Sequence, residues 1–293
     1  MDTIFDFLTQ QGLIETASSR RISDQCRDAA VAVFRDQASG VVYLDPQRAG
    51  KGQGYTEYYT DKSSQGSARF RNEMDQADSL RRSDILAPLI TGKVWLDFGC
   101  GPGYQLRQDA HLARSATGVE LNAGDRNLLQ ADGFHVVGQL ETTIKPQVIS
   151  LFHVLEHLLE APRILRELYD AADKNALLII EVPHGKDWIL THGPEAYRQF
   201  TFWSEHLVLH THESLRKLLT HCGWQVTQEL GVQRYPAWNH FHWLTEEKPS
   251  GLKATVMDAS ARQLQQAYEA FHAARNTTDT LLFVAVKNEE ATP

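Results

Sequence analysis

VWLDFGCGPG, at residues 94–103, is the stretch of sequence that decides the fold. Its apolar first half predicts a buried β-strand, and the glycines at 99, 101 and 103 predict a tight turn. A side chain with a Cβ would obstruct both the turn and the approach of the backbone to a ligand. Glu120 ends the next apolar run, where a carboxylate can accept hydrogen bonds from both hydroxyls of a ribose. The pattern therefore predicts a strand, a turn and a helix that bind a nucleoside-containing cofactor.

The charge of Asp97 separates two classes of such cofactors. A dinucleotide-binding turn reads G-x-G-x-x-G and holds a pyrophosphate at a helix N-terminus, whereas this turn reads G-x-G-x-G and follows an acid. A carboxylate aimed into the turn would repel a pyrophosphate and attract the α-ammonium group of an amino-acid moiety. The sign of the charge therefore favours S-adenosylmethionine over a nicotinamide dinucleotide.

From residue 94 onward, apolar runs rich in β-forming residues alternate with segments of helical spacing. The runs are VWLDFG (94–99), ATGVEL (116–121), FHVVGQL (134–140), QVISLFHVL (147–155), ALLIIEVP (176–183), QVTQEL (225–230) and TLLFVAVK (280–287). This alternation predicts an α/β fold, Rossmann-like and doubly wound, with a seven-stranded and mostly parallel sheet. The last run follows a long polar helical stretch, so we expect it to enter the sheet as a late antiparallel strand.

Charge and cysteine content exclude several classes of function. Lys and Arg number 29 against 37 Asp and Glu, and no basic run marks a track for phosphates, so nucleic acid is not an expected partner. The three cysteines are far apart and form no C-x-x-C pair, which fits a reducing cytoplasm. No signal-peptide pattern and no apolar run of about 18 residues is present, so we expect a cytoplasmic protein without a membrane span.

Residues 94–230 resemble the class I S-adenosylmethionine-dependent methyltransferases. The motifs that carry the resemblance are LDFGCGPG (96–103), Glu120, ISLFHVLEHL (149–158), IIEVPH (179–184) and EHLVLHTHESLRKLLTHCGW (205–224). Within that class they are similar to the branch of ubiquinone-type and sugar-modifying methyltransferases. The resemblance implies methyl transfer from S-adenosylmethionine to a small-molecule acceptor, for example a nucleotide-linked or surface-polysaccharide sugar, with S-adenosylhomocysteine as product. Two alternatives are an NAD-dependent oxidoreductase on a Rossmann fold and a methyltransferase-like module that binds the cofactor without catalysis.

The resemblance also implies which residues bind the cofactor. The methionine end would lie along the glycine turn, the ribose at the acid of the second strand, the adenine beside two leucines, and the reactive methyl group at the end of the fourth strand. The methionine end would contact Asp97, Gly99, Cys100, Gly101 and Gly103. The ribose would contact Glu120, and the adenine would contact Leu121 and Leu140. The reactive methyl group would lie beside Phe152 and His153.

Two histidines are candidates for proton transfer in catalysis. His153 leaves the fourth strand at the carboxyl edge of the sheet, where open α/β sheets bind their ligands, and a neutral imidazole there could accept a proton. His206 lies in an aromatic-rich insertion at 185–210 that should emerge at the same edge. Residues 153–157 also spell H-x-x-E-H, but a zinc site of that type needs both histidines on one helix face. Because His153 should end a strand, we expect no metal.

The domain organisation has two parts. Residues 1–90 predict an N-terminal extension with a hairpin at Ser39-Gly40, and the glycine- and tyrosine-rich stretch at 50–70 is typical of a lid. Residues 91–293 predict the cofactor-binding domain, whose insertions at 185–210 and 231–279 we expect to flank the acceptor pocket. The oligomeric state stays open between a monomer and a homodimer.

Overall fold

The computed structural model describes residues 3–49, 68–141, 143–250 and 259–288. Within these ranges the helices are α1 (Ile4–Gln10), α2 (Ala68–Ile90), α3 (Tyr104–Asp109), α4 (Ala123–Ala131), α5 (Ala161–Ala171), α6 (Trp188–His192), α7 (Glu195–Thr201), α8 (His212–His221), α9 (Ala237–Glu246) and α10 (Ala259–Arg275). The strands are β1 (Ser19–Ser23), β2 (Val33–Asp36), β3 (Val42–Leu44), β4 (Val94–Phe98), β5 (Ser115–Val119), β6 (His135–Val137), β7 (Val148–Phe152), β8 (Leu177–Pro183), β9 (Val208–Leu209), β10 (Trp224–Val232) and β11 (Thr280–Lys287).

A seven-stranded sheet forms the centre of the molecule, with the strand order β10-β11-β8-β7-β4-β5-β6. Strands β4 to β8 pair in parallel, whereas β11 pairs antiparallel with both of its neighbours, β8 and β10. Each of the seven predicted runs supplies one strand, and the last is the antiparallel one. The predicted α/β fold class is therefore confirmed.

Local sequence signals set the ends of the helices that cover this sheet. Thr211 caps α8 and forms a capping box with Ser214, so two backbone donors at the helix start have partners. Gly223 follows the same helix with a φ of +91°, a conformation that ends helices and that other residues rarely adopt. Pro162 lies in the first turn of α5, where its missing N–H costs no hydrogen bond.

The central strands are buried on both faces, as expected for a parallel sheet between helices. Trp95 and Leu96 are adjacent on β4 and point to opposite faces, yet both are fully buried. Trp95 packs with Leu86 and Ile90 of α2 in one apolar cluster. Helix α2 is thus part of the layer that covers the sheet, although it precedes residue 91.

A second, four-stranded sheet joins the N-terminal segment to the insertion at 185–210. Its order is β1-β2-β3-β9, all antiparallel, with β2 and β3 connected around Ser39-Gly40. A Cβ on Gly185 would lie 2.8 Å from the carbonyl oxygen of Leu209 and 2.9 Å from that of Gly40, so this close approach of three backbone segments requires glycine. The insertion is therefore held against the N-terminal hairpin, directly after β8.

The predicted lid at 50–70 lies almost entirely outside the described residues. Only its last three positions are described, as the start of α2. Among the described helices, none has the length and apolar character needed to cross a membrane.

Candidate active site

The glycine turn connects β4 to α3 at the carboxyl edge of the sheet. Gly99, Gly101 and Gly103 have φ values of +74°, +53° and +79°, all in the left-handed region. A Cβ at Gly99 would come within 2.5 Å of the Val154 side chain, whereas a Cβ at Gly101 would meet nothing within 4 Å. Gly101 therefore borders open space, where a ligand can lie against the main chain.

Glu120 binds the glycine turn from the end of the neighbouring strand β5. Its Oε2 accepts a hydrogen bond of 2.8 Å from the Gly101 N–H, and its Oε1 accepts one of 2.7 Å from the Asn122 N–H. Burial raises the pKa of the Glu120 carboxyl above its ordinary value, against the effect of these backbone donors. Since a carboxylate has about four acceptor positions, it can accept two further hydrogen bonds from ribose hydroxyls. The residue thus fits the predicted ribose site.

Asp97 is a buried carboxylate at the start of the turn and is only 3% exposed. Its Oδ1 accepts a hydrogen bond of 2.6 Å from Ser150, whose hydroxyl in turn accepts one of 2.8 Å from the Trp95 indole. Burial raises the pKa of Asp97 to about 6, and Ser150 and Arg82 oppose that rise. The α-ammonium group of a bound amino-acid moiety, placed beside Asp97, would stabilise the ionised form of this carboxyl group.

Beside Glu120 a pocket of about 600 Å³ opens between α4 and the end of β6. Leu121 lines it and is 49% exposed, and Gln139 and Glu141 line the opposite part. Leu140, between them, packs against the apolar core instead. Of the two leucines predicted to flank the adenine, only Leu121 lines this pocket among the described residues.

His153 directly follows β7 and has a φ of +55°, which a non-glycine residue seldom adopts. Its ring lies between two buried carboxylates, with Nδ1 3.1 Å from Glu156 Oε1 and Nε2 3.3 Å from Glu181 Oε1. Burial lowers the pKa of His153, but the contacts with Glu156 and Glu181 outweigh it, so the pKa is raised overall. The arrangement favours a charged imidazolium that orients its neighbours, because both ring nitrogens face acceptors.

Glu181 is fully buried in β8 and is the centre of an ion network that was not predicted. Arg81 binds it through two nitrogens at 2.8 and 2.9 Å, and Arg82 through two at 2.8 and 2.7 Å. Asp78, one helical turn before, accepts a hydrogen bond of 2.6 Å from Arg234. The network therefore connects α2, β8 and the insertion at 231–279 around His153. A glutamate inside the apolar run ALLIIEVP is the sequence signal that could have identified it.

His206 meets the H-x-x-E-H segment on the other side of Glu156. The rings of His206 and His157 pack edge to face with centroids 4.8 Å apart, and His157 Nδ1 donates 3.0 Å to the Glu205 carbonyl. The side-chain oxygen and nitrogen atoms of Glu156, His157 and His206 that could bind a metal ion all lie within 4.8 Å of one another. Glu156 is 1% exposed, and its Oε2 has no hydrogen-bond partner among the described residues.

The charge states of this Glu156–His157–His206 cluster follow from its surroundings. Burial and the neighbouring His157 lower the pKa of His206 to about 3, with Glu156 acting in the opposite direction. Burial raises the pKa of Glu156, yet the hydrogen bond from His153 and the nearby imidazoles bring it down to about 2. At neutral pH the cluster therefore contains an ionised carboxylate beside an unprotonated imidazole of His206.

The structure thus brings the predicted site residues to one edge of the sheet in two groups. The glycine turn with Asp97, Cys100 and Glu120 forms the first group, and Cys100 packs where a Cβ on Gly118 would come within 2.7 Å of its sulfur. Phe152 and His153 begin the second, where the guanidinium of Arg82 lies 4.8 Å from the Phe152 ring centroid. Glu156 contacts His153 and lies beside His206, so the two candidate bases flank one carboxylate.

Comparison with solved structures shows the same fold in methyltransferases. A SAM-dependent methyltransferase from Archaeoglobus fulgidus is 17% identical with a TM-score of 0.51, over 75% of this chain and 97% of that one. A SAM-dependent methyltransferase from Thermotoga maritima is 12% identical with a TM-score of 0.50, over 76% and 98% of the two chains. A chain from the complex between the Haloferax volcanii Trm112 methyltransferase activator and a methyltransferase is 14% identical with a TM-score of 0.54, over 80% and 100%. A search of the curated proteins finds no match.

A Rossmann-like sheet with a glycine turn and an acid after the second strand defines a class of α/β proteins that bind a nucleoside-containing cofactor. The chain belongs to the methyltransferase domain family, whose model matches residues 70–229, more than half of its length. The match begins within α2, so this helix is included in the family's domain. It does not favour the alternative of an NAD-dependent oxidoreductase.

Proposed function

We propose that this protein transfers the methyl group of S-adenosylmethionine to a hydroxyl of a small-molecule acceptor of the sugar type. The observation that carries the proposal is the order of groups along one sheet edge. Asp97 and Glu120 suit an amino acid and a ribose, and the Glu156–His157–His206 cluster follows at the next strand end. The sugar-type acceptor is supported by the resemblance of residues 149–158 and 205–224 to sugar-modifying methyltransferases. We place the enzyme in the cytoplasm, which its free cysteines suit.

When bound, the cofactor would supply a methyl group on a positively charged sulfur, and the carbon–sulfur bond would be the bond broken, with its electron pair kept by sulfur. The protein's main contribution is to position the acceptor oxygen in line with that bond. Asp97 would hold the α-ammonium group, Glu120 the ribose hydroxyls, and Leu121 would flank the adenine. Gly99, Gly101 and Gly103 would let the main chain approach the methionine end.

We assign proton removal from the acceptor hydroxyl to His206 rather than to His153. His206 is unprotonated at neutral pH and can accept a proton as the new carbon–oxygen bond forms. The ionised Glu156 lies beside it and would stabilise the imidazolium that results. His153 is held by Glu156 and Glu181, so we propose that it positions Glu156.

The test is calorimetric titration of the protein with S-adenosylmethionine and, separately, with NADH. A second assay measures S-adenosylhomocysteine release with a panel of nucleoside-diphosphate sugars, free sugars and phenols. We expect binding of S-adenosylmethionine and turnover with a sugar. Binding of NADH alone would contradict the proposal, and cofactor binding without turnover on any acceptor would favour a non-catalytic module.

The Glu120→Gln variant should bind S-adenosylmethionine more weakly. The amide cannot accept from both the Gly101 and the Asn122 N–H groups while also binding two hydroxyls. We expect a loss of about 1.5–3 kcal/mol in binding, measured by titration calorimetry. Glu167→Gln on the outer face of α5, where Glu167 pairs with Arg163, is the matched control. Equal affinity in both variants would place the ribose elsewhere.

Chelation should leave methyl transfer unchanged, because we assign proton transfer rather than metal binding to the Glu156–His157–His206 cluster. The oxygen and nitrogen atoms of these side chains also lie close enough together to bind a divalent cation, so a metal-binding role can be tested by removing metal. The measurement is turnover before and after dialysis against EDTA. A loss that zinc or magnesium restores would identify the cluster as a metal site instead.

A further inference from the structure

A second pocket, of about 270 Å³, lies between the N-terminal hairpin and the insertion at 185–210. Arg35 of β2, Thr191 of α6 and Arg198 of α7 line it. Ile22 and Leu190 complete the described lining. Nothing in the cofactor site or in the Glu156–His157–His206 cluster makes use of this pocket.

Arg35 makes two hydrogen bonds through its guanidinium group, and its Nε–H has no described partner. Its Nη1 donates 2.9 Å to the Thr191 hydroxyl and its Nη2 donates 3.3 Å to the Gly185 carbonyl. Its Nε is buried and has no hydrogen-bond partner among the described residues. A buried N–H without an acceptor is costly, so the described residues leave the hydrogen-bonding capacity of the Arg35 guanidinium partly unsatisfied.

Arg198 adds a second positive charge to the same pocket. Its Nη1 donates 3.0 Å to the Gly193 carbonyl, and a carbonyl carries no charge to neutralise it. In the part of the chain that the structure describes, neither Arg35 nor Arg198 forms an ion pair within 4 Å. Burial is the largest cause that lowers the pKa of Arg35; the nearby Asp187 acts in the opposite direction, and Arg198 lowers the pKa further.

The nearest acid, Asp187, is already committed to other partners. Its Oδ1 accepts from the Ile189 N–H at 3.1 Å, and its Oδ2 accepts from the Tyr197 hydroxyl at 2.9 Å. Burial, followed by repulsion from Asp279, raises the pKa of Asp187 to about 8, so at neutral pH it is largely protonated. Asp187 therefore acts on Arg35 only from beyond ion-pair distance, and among the described residues no carboxylate lies within 4 Å of either guanidinium group.

We propose that this pocket binds a phosphate group carried by the acceptor, which makes the acceptor a phosphorylated small molecule such as a nucleoside-diphosphate sugar. Two guanidinium groups present planar, charged donors that match the oxygens of a phosphate. The pocket also belongs to the same insertion as His206, whose following strand β9 pairs with β3 of the hairpin that carries Arg35. An anion bound here would anchor an acceptor whose other end lies at the carboxyl edge of the sheet. The role as acceptor site rests on the proposed function, whereas the binding of phosphate does not.

The test is direct binding of pyrophosphate and of UDP to the full-length protein, measured by titration calorimetry at low salt. We expect both to bind the wild type, and we expect Arg198→Gln and Arg35→Gln each to weaken binding at least about tenfold. Arg163→Gln on α5, where the arginine pairs with Glu160 and Glu167, is the control and should bind both as the wild type does. Arg198 makes fewer contacts than Arg35, so its variant keeps the test valid if Arg35→Gln fails to fold.

The same preparations are titrated with S-adenosylmethionine, which separates the two proposals. Intact cofactor binding without any pyrophosphate or UDP binding overturns the phosphate site and leaves the proposed function standing. The phosphate site is equally overturned if both arginine variants bind these probes as tightly as the wild type does. A wild-type protein that does not bind S-adenosylmethionine would contradict the proposed function, even if it binds pyrophosphate and UDP. Uridine, which lacks phosphate, should show no dependence on either arginine.

Discussion

The Glu181→Gln variant should lose about 3–5 kcal/mol of unfolding free energy, because it removes the fully buried negative charge at the centre of an ion network. Arg81 and Arg82 both bind this carboxylate through two nitrogens, and His153 lies 3.3 Å from it. Glutamine keeps the shape and one acceptor but leaves Arg82 without its described ion-pair partner, and Arg81 with Asp78 alone. The destabilisation is large because a buried charge without an ion-pair partner has lost its hydration energy, and no other interaction compensates for that loss.

Urea denaturation of the variant and the wild type measures this effect. Glu229→Gln is the matched control, because Glu229 also pairs with an arginine, Arg216, but at the surface, with side chains 23% and 50% exposed. A surface pair is worth at most about 1 kcal/mol, so the control should change little. Similar small losses in both variants would show that the network around Glu181 contributes little to stability.

The contribution of Glu181 should also depend on pH in a defined direction. Burial alone raises the pKa of Glu181, but Arg82, His153 and Arg81 outweigh it and hold the pKa well below its ordinary value of 4.5. A group whose pKa is lower in the folded state stabilises the protein above its unfolded pKa and loses that effect as the pH falls. The stability difference between wild type and Glu181→Gln should therefore shrink below about pH 4.5.

His206→Asn should lower turnover with a hydroxyl acceptor by about 10²-fold, the lower end of the usual contribution of a positioned general base, because an imidazole with a pKa of about 3 is a weak base. Asparagine retains a polar group of similar reach but cannot accept a proton at neutral pH. Affinity for S-adenosylmethionine should stay unchanged, because His206 lies with Glu156 and His157 and not among the residues of the glycine turn. The measurements are S-adenosylhomocysteine release under single-turnover conditions and cofactor binding by calorimetry.

His192→Asn is the control, since this histidine is exposed in the same insertion and stacks on Trp188. It should retain wild-type turnover. The pKa of His206 is lowered to about 3. The activity should therefore not decrease when the pH is lowered through about 6.5, the ordinary pKa of histidine. A drop in turnover of less than a few-fold in His206→Asn would leave positioning alone, without a base, as the source of catalysis.

The residues that the sequence predicts for the cofactor end of the site lie together at the carboxyl edge of the sheet, and their role in cofactor binding stays a prediction. Gly99, Gly101 and Gly103 are close together in the chain, and their conformations depend on local backbone geometry. Glu120 was predicted because parallel strands bring their carboxyl ends to one edge, which places it beside the turn. Leu140 shows the limit of this reasoning, since its neighbours Gln139 and Glu141 line the pocket while it packs inward.

The charge states of the histidines could not be predicted from the chain alone. The sequence places both His153 and His206 at the sheet edge and does not distinguish them. In the structure, the His153 ring lies between Glu156 and Glu181, whereas the His206 ring lies beside His157. Burial and neighbouring charges, which depend on packing, raise the pKa of the first and lower that of the second. The sequence pattern therefore indicated where the chemistry occurs but not which imidazole is free to accept a proton.

By itself, the sequence determined the strands, the glycine turn and the helix caps, because each depends on residues within a few positions of one another. It also determined the family resemblance, because that rests on the residue types in motifs along the chain and on their order. Only the tertiary structure decided the ion network of Arg81, Arg82 and Glu181 and the contact of Arg35 with Thr191 in the second pocket. These contacts join residues separated by about a hundred positions or more, so they exist only once the strand order and the two sheets have been formed. Electrostatic interactions act over a few ångströms of space regardless of chain separation, which is why they follow from topology and not from local pattern.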